Sequence, residues 1–292
     1  MIRILMTANL GYVYDSQANS TLFEVVLMER LSQSDLNILL VEPSAMQRKV
    51  IENELHHEQV TAIDQAASIA EALQSIHAIQ PDLIASALYF EDGTALDLLR
   101  EVRALPECAG TPFMLVTSET RLAQLEVFKQ SGVIAILPKP FSRQHLNSAL
   151  SATVELLSPE ELELENYDIT SLKALVVDDS KMARKMISRV LGNLGVTDIV
   201  EAEDGAEAIA ILTETAVDFV VTDFNMPNID GAELTAYIRN SDQLSSLPVL
   251  MVTSEQDETK LSHINHCGID ALIDKPFSPV EVKCLLHRLM DN

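Results

Sequence analysis

The chain has 292 residues, 47% hydrophobic and 22% charged, a globular balance with room for two domains at about 150 residues each. Its 9 Gly and 11 Pro exclude a collagen-like chain, and 20 Lys+Arg against 44 Asp+Glu give a net charge of −24, which repels nucleic-acid backbones. The lone cysteines Cys108, Cys267 and Cys284 exclude a disulfide framework and fit a reducing cytoplasm. No apolar run reaches the about 18 residues of a membrane span, and the opening MIRILM is too short for a signal-peptide core.

In chain order, residues 1–35 match nothing else in the sequence. Two readings stay open there: a short amphipathic helix at 21–31, or a translation start at Met28. From residue 36 onward the chain repeats itself. ILLVEPSAMQRKVI (38–51) matches ALVVDDSKMARKMI (174–187), LVTSE (115–119) matches MVTSE (251–255), and LPKPFS (137–142) matches IDKPFS (273–278). Each match has the same offset, 136 residues. The simplest account is two copies of one fold, at 36–158 and 171–292, joined by an acidic linker at 159–170. Glu155, Glu160, Glu161, Glu163, Glu165 and Asp168 make the join uniformly acidic, as a solvated helix tail and linker would be.

Within the second copy, short apolar runs at 174–177, 199–201, 219–222, 248–253 and 271–273 alternate with helix-like stretches such as 180–194 and 205–215. The runs are rich in Val, Ile and Leu with little alternation, as in parallel strands buried on both faces. Ser180 fits an N-cap, and Gly192 and Gly195 punctuate the helix end. The expected fold is therefore α/β: two tandem doubly wound (βα)5 domains of the flavodoxin-like type, each with a five-stranded parallel sheet.

Such sheets carry their chemistry at the carboxyl ends of the strands. There the second copy has Asp178 and Asp179 after its first strand, Asp223 after its third, Thr253 after its fourth and Lys275 after its fifth. Clustered carboxylates repel one another, and a hard cation such as Mg2+ relieves the repulsion. A hydroxyl and an ammonium opposite them suit the remaining oxygens of a phosphoryl group. A carboxylate can itself be the nucleophile, giving an acyl phosphate, and Asp223 is central in the set. A cis Lys275-Pro276 bond would aim Lys275 inward.

LVVDDS (175–180), TDFNMPNIDG (222–231), VTSE (252–255) and DKPF (274–277) resemble the receiver domain of two-component response regulators. The resemblance covers the whole second copy. It implies that Asp178, Asp179, Asp223 and the backbone carbonyl of Asn225 hold Mg2+. Asp223 would accept phosphate from a histidine kinase or a phosphotransfer protein, and Thr253 and Lys275 would sense it. Met226, Pro227 and Gly231 would shape the loop beyond the acceptor. Asn225 and Glu255 are similar to CheY-like chemotaxis receivers, where these positions tune dephosphorylation. The family usually has an aromatic switch residue three positions before the lysine. Here that position is Leu272.

The first copy keeps only part of the set. Its counterparts are Glu42 and Pro43 for the aspartate pair, Ala87 for the acceptor, Thr117 and Lys139. The loop after Ala87 reads Leu88-Tyr89-Phe90-Glu91-Asp92-Gly93, two residues shorter before its Asp-Gly than the second copy. Asp92 lies where the resembled family carries a non-acceptor Asp, so this copy is expected to be a receiver-like domain not phosphorylated at the usual place. Two readings of this copy stay open: a docking or regulatory partner of the second, or an eroded duplicate kept for stability.

Other features have plain explanations. His263 and His266 are spaced like metal ligands but lack a completing cluster, and His56-His57 reads as a helix end. Asp178-Asp179-Ser180 lacks the second Asp that a dehalogenase-type phosphatase needs. No glycine-rich phosphate loop follows a strand. Met182 and Met186 read as core filling. The leading expectation is a response regulator without a DNA-binding or enzymatic output domain. It would catalyse only its own phosphotransfer and hydrolysis and signal through protein contacts. The partners expected are the kinase, a downstream protein, and either the other copy or a second chain, with no nucleic acid or membrane. A constitutive scaffold and a phosphate sink are the alternatives.

Overall fold

A computed structural model describes residues 31–158, 162, 164, 167–254, 268–276 and 279–290. The extension at 1–30, with its amphipathic stretch and Met28, lies outside them, as do most of the acidic linker, Glu255, His263, His266 and Cys267.

The first repeat runs β1 (Asn37–Val41), α1 (Ala45–His57), β2 (Ala62–Ala66), α2 (Ile69–Ile79), β3 (Leu83–Ser86), a two-stranded turn β4 (Tyr89–Phe90) and β5 (Gly93–Thr94), then α3 (Ala95–Ala104), β6 (Phe113–Thr117), α4 (Leu122–Lys129), β7 (Ala135–Pro138) and α5 (Arg143–Leu157). The second runs β8 (Lys173–Val177), α6 (Lys181–Asn193), β9 (Asp198–Ala202), α7 (Gly205–Glu214), β10 (Phe219–Asp223), α8 (Gly231–Asn240), β11 (Val249–Thr253), β12 (Ala271–Asp274) and α9 (Pro279–Met290). Both main sheets are five-stranded and parallel, ordered β2-β1-β3-β6-β7 and β9-β8-β10-β11-β12. This is the doubly wound arrangement expected from the alternating pattern.

Local chemistry sets the helix starts. Ser44 accepts from the Gln47 amide and Ser180 from the Ala183 amide, so α1 and α6 are capped alike. Asp230 and Glu233 form a capping box at α8, as Thr94 and Asp97 do at α3.

This last pair corrects the loop reading of the first copy. α3 begins at Ala95, which is 136 residues before Gly231, where α8 begins. The loop is therefore not shortened, and Thr94-Ala95 is the counterpart of Asp230-Gly231. Asp92 is the counterpart of Asn228. Its carboxylate accepts from the amides of Ile69 (3.1 Å) and Ala70 (3.0 Å) at the start of α2, so it ties two loops together.

The core is not divided evenly between the repeats. One face of the first sheet packs on α2, α3 and α4 through Leu39, Val41, Ile76, Leu98 and Phe128. One face of the second packs on α7 and α8 through Leu175, Val177, Leu212 and Leu234. The two remaining faces belong to a single apolar cluster. It joins Ile38, Leu40, Leu146 and Leu150 of the first repeat to Val176, Val190, Leu286 and Met290 of the second. Leu162, in the linker, is buried in it and donates its amide to the Leu194 carbonyl at 2.8 Å. Met186 packs against this cluster, and Met182 lies one turn before it on α6. They are half-buried on α6 at the seam, where Gly132 of the first repeat lies against the Met182 carbonyl and the Met186 side chain.

Candidate functional site

The second sheet's order puts the tips of β8, β10, β11 and β12 side by side, so the residues that follow those strands meet. Lys275 Nζ lies 2.6 Å from Asp178 Oδ2 and 3.1 Å from Asp223 Oδ1. One oxygen from each of Asp178, Asp179 and Asp223 can be chosen so that all lie within 4.8 Å of one another. Asp178, Asp223 and Thr253 are fully enclosed, whereas Asp179 is exposed. The Thr253 carbonyl accepts from the Lys275 amide at 2.7 Å, tying the last two strand ends together. Both Lys275-Pro276 and its counterpart Lys139-Pro140 are cis.

Asp223 is buried without adequate partners. Both of its carboxylate oxygens are enclosed without a well-formed hydrogen-bond partner among the described residues, and Lys275 pairs with Oδ1 at 3.1 Å. Burial pushes the Asp223 carboxyl up to about 6 against the pull of Lys275, and the Asp178 charge adds to the rise. Burial also raises Asp178, with Lys275 opposing. For Lys275, burial works against the charge, but Asp223 and Asp178 outweigh it and the net direction is upward. Orphaned buried oxygens facing two further carboxylates are the donor set a hard divalent cation takes, so the residues present fit Mg2+.

Surrounding residues fix this geometry. Asp178 Oδ1 accepts from the Ser180 amide at 2.8 Å. Gly231 donates its amide to the Phe224 carbonyl at 3.0 Å, and a Cβ at Gly231 would collide with the Asp223 carbonyl oxygen. Only glycine lets α8 press this closely on β10. Asn225 is exposed just beyond Asp223, and Leu272 packs against Phe224, Ala232 and Met251. The sequence reading missed Arg184, which is buried. It donates to the Asp178 carbonyl at 2.6 Å and pairs with Glu201 (3.3 Å) and Glu203 (3.0 Å). Its counterpart Arg48 reaches the Glu42 carbonyl at 2.5 Å, so the shared arginine in the repeat was the available signal.

In the first repeat the corresponding space is filled. Glu42 Oε2 lies 2.7 Å from Lys139 Nζ, which also donates to Gln47 Oε1 at 2.6 Å. Glu42 Oε1 accepts from the Ser44 amide at 2.9 Å. Ala87 is buried at the position that corresponds to Asp223, Pro43 is exposed, and Thr117 accepts from the Glu119 amide at 3.0 Å.

The first repeat also reaches the second repeat's site, which no sequence motif announced. Lys275 Nζ donates to Gln130 Oε1 at 2.9 Å, and Ser180 Oγ donates to the Gln130 carbonyl at 2.6 Å. Lys129 Nζ donates to the Ser254 carbonyl at 3.3 Å, and Ser254 Oγ contacts the Glu126 carboxylate. Elsewhere, His56 ends α1 as expected, with Nδ1 2.9 Å from the Val60 carbonyl. Among the described residues no helix is long and apolar enough to cross a membrane.

The family model for the response regulator receiver domain matches the chain twice, at 38–151 and 174–287. Chemotaxis protein CheY-3 of Vibrio cholerae is 36% identical over 122 residues, 42% of this chain and 94% of that protein. Chemotaxis protein CheY of Pseudomonas aeruginosa is 35% identical over 121 residues, 41% of this chain and 98% of its own length. Among solved structures, the response regulator CheY4 of Vibrio cholerae is 33% identical, covering 40% of this chain and 98% of that one with a TM-score of 0.38.

Proposed function

The chain belongs to the response regulator receiver family, carrying two receiver domains in tandem, and from that premise we propose that it is a phosphorylated signalling protein whose single acceptor is Asp223. The observation that supports this best is the buried constellation of Asp178, Asp223 and Lys275, with Asp179 at its exposed edge. A histidine kinase or phosphotransfer protein would supply the phosphoryl group. The phosphorus–nitrogen bond of a phosphohistidine breaks, the imidazole nitrogen keeps the electron pair, and an Asp223 carboxylate oxygen forms the new phosphorus–oxygen bond.

Asp178, Asp179 and Asp223, with the Asn225 carbonyl, would hold Mg2+, which supplies charge neutralisation for the incoming phosphoryl oxygens. Lys275 donates to one phosphoryl oxygen and the Thr253 hydroxyl to another. Asn225, two positions after Asp223, and Glu255, two positions after Thr253, would tune the lifetime of the acyl phosphate. The protein acts on no free substrate. It catalyses only its own phosphorylation and dephosphorylation, and its output is a change in protein contacts.

The first receiver, with Ala87 in place of an acceptor and Glu42 bound to Lys139, takes no phosphate at that position. The apolar cluster shared by both receivers supports a second reading, in which the pair is a constitutive scaffold. The deciding experiment is partner binding by the wild type with and without Mg2+ and beryllofluoride. A change in affinity supports the switch, and unchanged affinity supports the scaffold.

A further inference from the structure

The amide that Lys275 binds comes from the other receiver. In the first receiver, Lys139 is served entirely from within: Glu42 and its own helix residue Gln47. The counterpart of Gln47 in the second receiver is Ala183, which has no polar group to offer. The space left beside Ala183 is closed by Gly132, Val133 and Lys129 of the first receiver, and they line one small cavity together with Met186, Lys275 and Pro276. Gln130 fills the missing amide position, with its side-chain oxygen 2.9 Å from Lys275 Nζ. The exposures of the two lysines record the difference: the Lys139 side chain is 21% exposed and the Lys275 side chain 2%.

The contact is anchored around the site rather than at one point. Gln130 accepts from Ser180 in the loop after β8 through its backbone carbonyl. Lys129 and Glu126 hold Ser254, which follows β11. Gln130 also meets Lys275, which follows β12. Three of the loops that surround Asp223 are thus bridged by the end of α4 and the turn after it.

We propose that the segment Glu126–Val133 of the first receiver is a displaceable cap on the second receiver's acceptor site, with Gln130 occupying the Lys275 donor that a phosphoryl oxygen requires. This rests on Asp223 being the acceptor. An ammonium has three donors, and here the groups around it are Asp178, Asp223 and Gln130. Gln130 is the neutral one. A charged phosphoryl oxygen makes the stronger hydrogen bond and displaces it. The same segment bridges the loops around Asp223, so a donor protein that engages those loops would compete with it, and capping and phosphorylation oppose each other. By reciprocity, whatever factor the cap takes from phosphorylation, phosphorylation takes from the cap. The receiver without an acceptor thereby reads the state of the receiver that has one. The apolar cluster away from the site keeps the two joined when the cap lifts.

The test uses the full chain with acetyl phosphate and Mg2+, where acetate leaves with the electron pair of the broken phosphorus–oxygen bond. Initial phosphorylation rates are compared for wild type, Gln130→Ala, Glu126→Ala and the control Asp223→Asn, each checked for folding by thermal melting. Amide exchange of residues 126–133 is followed in the wild type on adding Mg2+ and beryllofluoride. Removing the Gln130 hydrogen bond raises the rate about three- to tenfold. Glu126→Ala raises it as well, and exchange at 126–133 accelerates with beryllofluoride. Unchanged rates and exchange, with label still lost in Asp223→Asn, overturn the cap and leave the acceptor assignment standing. Unchanged uptake with a longer-lived phosphoprotein in Gln130→Ala also overturns it, giving Gln130 a role in hydrolysis instead. Absence of label in every protein overturns the cap and the acceptor assignment together.

Discussion

Glu42 and Lys139 close the first receiver's site on itself, with carboxylate and ammonium 2.7 Å apart and Glu42 almost fully enclosed. The carboxylate already sits on the lysine that would otherwise face a phosphoryl oxygen. Pro43 replaces the exposed ligand that Asp179 offers in the second receiver. Restoring only the acceptor should therefore restore nothing. Ala87→Asp is expected to take no label from acetyl phosphate on the first receiver and to lose about 1–3 kcal/mol of stability for the buried polar group. Label on the substituted carboxylate of the Ala87→Asp protein, located by peptide mapping, would contradict this.

The raised pKa of Asp223 makes a stability prediction. Its folded value of about 6 lies above the ordinary 3.8. Between those values the folded protein binds more protons than the unfolded chain. Stability from this group is thus fully present below the unfolded value and is lost as the pH rises through the folded one. Asp223→Asn removes that loss. It is expected to be more stable than wild type at pH 7 by about 1–3 kcal/mol, with the gap closing towards about pH 4. Urea unfolding across that range measures it, and a gap independent of pH would count against the assignment.

Cation binding follows from the same carboxylates. Mg2+ at about a hundred times its dissociation constant should stabilise the chain by about 2.7 kcal/mol. Asp179→Ala should lose most of this, because Asp179 is the exposed member of the set. The stabilisation should also weaken as the pH falls through about 6, where protons compete for Asp223. Thermal shifts at fixed Mg2+ across pH provide the measurement. Equal shifts in wild type and Asp179→Ala would exclude this site.

The shared apolar cluster makes the two receivers one folding unit. Leu150 is fully buried in it. Leu150→Ala is expected to cost about 2–5 kcal/mol and to leave a single cooperative transition. Calorimetry that resolved two transitions, with only the earlier one moved, would show the receivers to be independent.

Much of this was legible in the sequence, for identifiable reasons. The 136-residue offset carries from the motifs to the strand and helix boundaries, because capping residues such as Ser44 and Ser180 recur with it. The acidic strand ends announced the second site because that residue type is rare beside buried strands. The loop after Ala87 was misread because the Asp92-Gly93 dipeptide looked like Asp230-Gly231. Register rather than identity decides the pairing, and it makes Thr94-Ala95 the counterpart. Met182 and Met186 read as core filling, but an apolar i, i+4 pair looks the same whether it faces its own sheet or a neighbour, so the seam was not legible. Gln130 was invisible because its role depends on a partner 145 residues away, brought near by packing alone.

The central claim is that Asp223 is the single phosphoacceptor. The most direct test is to incubate the full chain with Mg2+ and acetyl phosphate, trap the acyl phosphate with borohydride and map the modified peptide by mass spectrometry. The account predicts modification at Asp223 alone, lost in Asp223→Asn and strongly reduced in Asp178→Ala. Modification at any first-receiver residue, or undiminished labelling of Asp223→Asn, would contradict it.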